Sequence, residues 1–312
     1  MNRKIVKWIE EDYFQNPSFF GQLLSMTLLP LTLIYCLIVG IKRFRDQKID
    51  FGIPIISIGN LTVGGNGKTP LTIQIAKNQE NIAIILRGYG RTSKDLVVVS
   101  HNRQILCNVK TSGDEAFMIA KELPNATVIV SANRKLAILK AKELGCKKVI
   151  LDDGFSRTDI KKFDILIKPK DEPKNIFCIP SGPYREPKFI YAMADLILEE
   201  GVDFKKKVTF YDQNLQQNVD IFNFQSPIVV ITAIAKPFRL KEFLPKDTII
   251  ESFSDHHFFE DSQIEEIFAK YPKHTFATTQ KDAVKLEKYL QKFIIIKLEL
   301  ELLNQKIPYM KA

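Results

Sequence analysis

The stretch 55–76, I-I-S-I-G-N-L-T-V-G-G-N-G-K-T-P-L-T-I-Q-I-A, constrains this chain more than any other. Strand-type residues Ile55, Ile56 and Ile58 run into a loop with three glycines, and the loop ends in Lys68-Thr69 where a helical pattern begins. Such a loop can close backbone N–H groups around phosphate oxygens. Its lysine can reach the β- and γ-phosphates, its threonine can hold Mg²⁺, and the helix behind it offers its positive end. The residues in these places are Thr62, Val63, Gly64, Gly65, Asn66, Gly67, Lys68 and Thr69. The strict pattern G-x-x-x-x-G-K-S/T would put glycine at 62, where this chain has Thr62. A glycine-rich turn ahead of an ordinary core helix is the plain alternative.

Beyond the loop, short apolar runs at 82–86, 96–99, 128–130, 149–151 and 165–167 alternate with helical stretches such as 114–123 and 133–144. Alternation of this kind predicts an α/β fold built on a mostly parallel, covered sheet, with ligands at the carboxyl ends of the strands. Residues 147–154 read as a strand ending in Asp152-Asp153-Gly154. Acids in that position, downstream of a phosphate loop, are the expected Mg²⁺ partners of Thr69. After 82–86 comes Arg87-Gly88-Tyr89-Gly90-Arg91, either a solvated basic turn or a clamp for a phosphate or sugar. Asp114 and Glu115 open a helix, where acids favour the helix dipole. The prolines of 179–187 forbid regular structure around Arg185-Glu186, which reads as an exposed pair on a surface turn.

Residues 19–41 carry no charge, and Lys42, Arg43, Arg45 and Lys48 follow directly. A run of that length can cross a bilayer, lie in its interface or pack in a core, and the basic flank favours contact with anionic headgroups. The last ninety or so residues repeat the strand–helix alternation without a phosphate loop. Strands are expected at 228–233, 248–251, 275–278 and 293–298, with helices at 237–244, 262–270 and 281–290. The expected domains are a membrane-contacting segment (1–48), a P-loop NTPase-like core (49–200), connecting strands (201–226) and a second, smaller α/β lobe (227–312). Within that lobe, Asp255-His256-His257 offers two adjacent rings that cannot point the same way.

The formal net charge of +9 suits an anionic partner without choosing one. The lysines are dispersed and no nucleic-acid motif occurs, so nucleic acid is not expected. Cys36, Cys107, Cys146 and Cys178 lie far apart, at neither zinc nor disulfide-framework spacing.

Taken together and in order, S-I-G-N-L-T-V-G-G-N-G-K-T-P, L-R-G-Y-G-R, G-D-E, L-D-D-G-F, G-P-Y-R-E-P, S-D-H-H-F-F and T-T-Q-K-D-A-V-K resemble the tetraacyldisaccharide 4′-kinase family over nearly the whole chain. Thr62 in place of glycine looks characteristic of that family. The resemblance implies a kinase that moves the γ-phosphate of ATP to the 4′-hydroxyl of a lipid-linked glucosamine disaccharide 1-phosphate at the cytoplasmic face of the bacterial inner membrane; a monomer is expected. It implies that Lys68 neutralises phosphate charge and that Thr69 with Asp152 or Asp153 holds Mg²⁺. Asp114 would be the base, tuned by His256 or His257 once the two lobes close. Arg87, Tyr89, Arg91, Arg185 and Glu186 match positions that contact nucleotide or the disaccharide phosphate. Four positions depart from the family's usual residues: Ser156-Arg157 stand for Gln-His, Gln280 for Glu and Ala116 for Pro. The competing reading is a membrane-associated regulatory ATPase or GTPase. Such partner ATPases often carry a lysine where this chain has Val63, which weighs against it.

Overall fold

The computed structural model describes residues 8–64, 67–304 and 307, so the predicted loop residues Gly65 and Asn66 lie outside the described residues. After Ser18, whose hydroxyl accepts the N–H of Gly21, α1 runs Phe19–Arg45. β1 (Ile55–Gly59) leads to α2 (Lys68–Ala76), and β2 (Ile82–Leu86) follows. β3 (Val97–His101), β4 (Gln104–Ile105), the single-turn α3 (Val109–Ser112), α4 (Asp114–Glu122), β5 (Thr127–Val130) and α5 (Arg134–Glu143) come next. β6 (Lys148–Asp152), β7 (Phe163–Lys168) and β8 (Leu196–Glu199) follow them. The remainder holds β9 (Phe204–Asp212), β10 (Gln217–Val219), β11 (Ile228–Thr232), β12 (Ile249–Ser252), α6 (Asp261–Lys270), β13 (Thr275–Thr279), α7 (Gln280–Ala283) and β14 (Phe293–Leu302).

The chain forms two compact units, and neither is one continuous stretch. The first takes residues 1–85, 138–205 and 302–312; the second takes 86–137 and 206–301. Residues 86–137 thus group with the second lobe and not with the rest of 49–200. Nor is 201–226 only a connector, since β9 and β10 pair as an antiparallel hairpin in the sheet of the second unit.

In the first unit the strand order is β2-β6-β1-β7-β8, every pair parallel. β1 and β2 are buried at every position, the signature of strands covered on both faces. Parallel pairing sets Ile58 beside Asp152, so the loop after β1 and the acids after β6 emerge at one edge.

In the second unit the sheet order is β10-β9-β14-β13-β11-β12, and β3 pairs antiparallel with both β4 and β5. Alternation along β11 feeds two cores: Val229 and Ile231 face Ile264, Leu286 and Phe293, while Ile228 and Val230 face Ala277, Ile294 and Ile296. Two expected helices are corrected here. The stretch 237–244 is a 3₁₀ helix over Pro237–Phe243, and 281–290 divides into the short α7 and a 3₁₀ helix over Glu287–Lys292. Apolar residues three apart suit either helix type over so few residues.

α1 is not a core helix. Its buried residues are Gly21, Ser25 and Thr32, whereas Phe19, Phe20, Leu33, Leu37 and Ile38 stand more than half exposed. By length and composition it could cross a membrane.

Candidate active site

In the first unit the described glycines of the loop after β1, Gly64 and Gly67, both take a positive φ. Gly67 caps α2 with φ of 89°, a conformation that a side chain would strain. Lys68 Nζ donates to Asn60 Oδ1 at 2.7 Å and lies 3.6 Å from Asp153 Oδ1. Asn60 in turn donates to the Thr62 carbonyl at 2.7 Å, which fixes the start of the loop. Thr69 Oγ1 donates to Asp152 Oδ2 at 3.1 Å. Asp153, at a positive φ of 53°, turns instead to Arg185, whose Nη1 donates to both its oxygens at 3.1–3.2 Å. Burial pushes the Asp153 carboxyl up, but Lys68 and Arg185 outweigh it and hold the group below the usual carboxylate range. Two hard oxygen donors, Thr69 and Asp152, are therefore the pair suited to Mg²⁺, while Asp153 is engaged by cations. Mg²⁺ takes few protein ligands and completes its shell with water and phosphate oxygens.

Glu186 is not the exposed partner of Arg185 that the proline-rich turn suggested. It is buried, and the Arg43 guanidinium grips both its oxygens at 2.6–3.0 Å. That pairing also removes Arg43 from the basic flank of α1, because its side chain is only 10% exposed.

In the second unit the focus is Asp114, the first residue of α4, with a side chain 2% exposed. His256 Nδ1 lies 2.9 Å from its Oδ1 and 3.1 Å from its Oδ2, Lys285 Nζ approaches to 3.4 Å and Lys281 Nζ to 3.9 Å. Burial works against the Asp114 charge, yet the His256 hydrogen bond and the two lysines win, and its carboxyl sits below the ordinary range. The same hydrogen bond raises the His256 imidazole above its ordinary 6.5, against burial.

The geometry separates the adjacent histidines. His256 adopts a positive φ of 59° and reaches Asp114. His257 stacks on Phe253 at 4.9 Å and pairs with Gln263 at the head of α6, so it packs the lobe and does not meet the carboxylate. The Arg87–Arg91 turn fits around this pair: a Cβ on Gly90 would sit 2.9 Å from the His256 ring. Arg87 and Tyr89 remain exposed, the guanidinium 5.4 Å over the ring. Arg91 is different, since it donates to the carbonyls of Lys94, Asp95 and Val130 and so braces the turn.

Three further residues contribute, Asn60, Lys281 and Lys285, which the sequence shows only as members of the runs S-I-G-N and T-T-Q-K-D-A-V-K. Asn60 directly follows β1 at its carboxyl end, where ligands gather in parallel sheets. Lys281 and Lys285 are both largely hidden, and a lysine with a 1% exposed side chain, such as Lys285, is rare without a partner.

Comparison with known proteins adds to this geometry. The model of a family described as tetraacyldisaccharide-1-P 4′-kinase (LpxK) matches residues 24–309. A tetraacyldisaccharide 4′-kinase of Aliarcobacter butzleri is 54% identical over 289 residues, 93% of this chain and 90% of that protein. One of Campylobacter jejuni subsp. doylei is 43% identical over 308 residues, 98% of this chain and 96% of the other. Among solved structures, LpxK from Aquifex aeolicus in complex with ATP superposes with a TM-score of 0.73 at 26% identity, covering 91% of this chain and 96% of that one. Matches of that identity running nearly end to end leave one assignment: the chain belongs to the tetraacyldisaccharide-1-P 4′-kinase family.

Proposed function

We propose that this chain transfers the γ-phosphate of ATP to the 4′-hydroxyl of a tetraacyldisaccharide 1-phosphate at a membrane surface. The observation that carries the reading is buried Asp114 bonded to the half-buried His256, in a chain whose sequence also carries the Lys68-Thr69 phosphate loop. A binding switch needs the loop alone, whereas a kinase also needs a base for the acceptor hydroxyl. Support for ATP comes from the Aquifex aeolicus relative, solved in complex with ATP. Lys68 places positive charge where the transferred phosphate gathers negative charge, and Thr69 with Asp152 would hold Mg²⁺. When bound, that ion draws charge from the phosphates and so eases departure of ADP. Locating the new phosphate on the lipid product by mass spectrometry and NMR tests the reading: 4′-phosphorylation supports it, and an unmodified lipid contradicts it.

An aspartate held below its ordinary range is a poor base alone. The Asp114–His256 pair accepts a proton readily only when the imidazole is neutral, so the pair and not either residue sets the pH response. Because His256 is raised above 6.5, kcat/KM is expected to climb with pH through an acid limb lying above that value. In His256→Gln the limb should move to lower pH, where Asp114 alone titrates, with a plateau about 10- to 100-fold lower. An acid limb at the same pH in both proteins would remove His256 from the proton path.

α1 fits the membrane reading as a helix docked along one side. Ser25, Thr32, Tyr35 and Arg43 all bond to protein, a stripe covering about 27 Å of its length at 1.5 Å per residue. A helix so held presents its outer face to lipid and lies in the interface instead of crossing it. Leu37→Glu together with Phe20→Glu should cut partition onto anionic vesicles by at least ten-fold, read by co-sedimentation, with the fold intact because both side chains are exposed. Undiminished partition would place the membrane contact elsewhere.

A further inference from the structure

The protein-facing side of α1 does not contact a neutral part of the fold. Four of its polar side chains bond to residues 178–186, and Ser25 also accepts from Asn175 Nδ2 at 3.2 Å. Ser25 Oγ donates to the Ser181 carbonyl at 2.8 Å, Thr32 Oγ1 to Ser181 Oγ at 2.7 Å and Tyr35 OH to the Arg185 carbonyl at 2.7 Å. Arg43 adds its bidentate grip on Glu186, and both side chains are at most 10% exposed. Burial pushes the Glu186 carboxyl up even with Arg43 beside it, so the pair depends on both members.

The same nine residues border the phosphate loop. Arg185 N–H donates to the Leu61 carbonyl at 2.7 Å and Val63 N–H donates to the Pro183 carbonyl at 2.9 Å, with Tyr184 fully buried opposite Thr62. Forward of this ribbon, the Arg185 side chain takes both oxygens of Asp153, and Asp153 lies 3.6 Å from Lys68 Nζ. A continuous series of hydrogen bonds and ion pairs thus joins the apolar helix to the lysine of the loop, all within the first unit.

We propose that Tyr35 and Arg43, on the lipid-facing helix, are positioning residues of the nucleotide site. They hold residues 183–186 in register against 61–63, so that Arg185 keeps Asp153 aligned on Lys68 and the loop stays open to the phosphates. The helix that faces lipid is therefore also a wall of the ATP site, one step removed. This proposal rests on the reading of the loop as the ATP site.

The test is the affinity of the full-length protein in detergent for a fluorescent ATP analogue, with steady-state kinetics alongside. Tyr35→Phe deletes one hydroxyl and keeps the ring in its apolar cluster with Leu61, Phe155 and Tyr184. It should weaken nucleotide binding about 2- to 10-fold, the worth of one hydrogen bond. Arg43→Met should weaken it by at least ten-fold, and Arg43→Lys should recover part of the loss. In each variant KM for ATP should rise while KM for the lipid and vesicle partition hold. Nucleotide affinity within two-fold of wild type in both Tyr35→Phe and Arg43→Met would overturn the proposal, whatever happens to their melting temperatures. Wild-type protein that fails to bind the nucleotide would contradict the ATP site itself, a failure distinct from that of the coupling.

Discussion

Asp114→Asn is expected to lower kcat by about 10²- to 10⁴-fold, the range for loss of a general base. The substitution keeps the shape of the side chain and removes only its charge and its capacity to take a proton. Lys285, which faces Asp114, stays paired, because its Nζ also lies 2.8 Å from Asp282 Oδ1. Asp282 is itself fully buried and accepts from Thr232 Oγ1, Thr279 Oγ1 and the Ala233 N–H, so the lysine is anchored without Asp114. The protein should therefore fold and bind ATP, and the loss should appear in kcat. Single-turnover measurement with ATP bound in advance isolates that step. A rate within a few-fold of wild type would move the base elsewhere.

Lys68→Ala should cost about 10²- to 10³-fold in turnover, comparable to removing a preorganised donor to developing negative charge. Its two partners survive the change: Asn60 still donates to the Thr62 carbonyl, and Asp153 keeps both hydrogen bonds from Arg185. No buried carboxylate is left unpaired, which separates this substitution from one that fails through misfolding. The defect should persist at saturating ATP, because the lysine acts on charge that grows in the transition state. Recovery of wild-type turnover at high ATP would reduce Lys68 to a binding residue.

These expectations rest on residues of unequal visibility in the sequence. The loop from Gly64 to Thr69 and the acids at 152–153 were legible because each is a local pattern: a strand, a turn chemistry and a helix start within about twenty residues. Asp114 was legible by itself only as an acid at a helix start, and it was the family resemblance that paired it with one of two adjacent histidines. The choice between them was not legible, since it depends on a positive φ at His256 and on an aromatic stack that draws His257 the other way. The Arg43–Glu186 pair joins residues 143 apart, and no periodicity reports a contact of that range. The same holds for the two units, where 86–137 joins 206–301 through tertiary packing alone. Arg91 and Glu186 showed the residue types of a ligand clamp, yet Glu186 is held by Arg43 and Arg91 donates to three carbonyls of its own unit. Composition suggested the chemistry, and only geometry showed that it was already taken.

The measurement closest to the central claim follows the label of γ-labelled ATP, with Mg²⁺ and detergent micelles containing a tetraacyldisaccharide 1-phosphate, in wild type and in Asp114→Asn. Label is expected in the lipid, dependent on Asp114, with little released as free phosphate. ATP consumed with the label recovered as free phosphate and none in the lipid would contradict it, and would make the protein a nucleotidase.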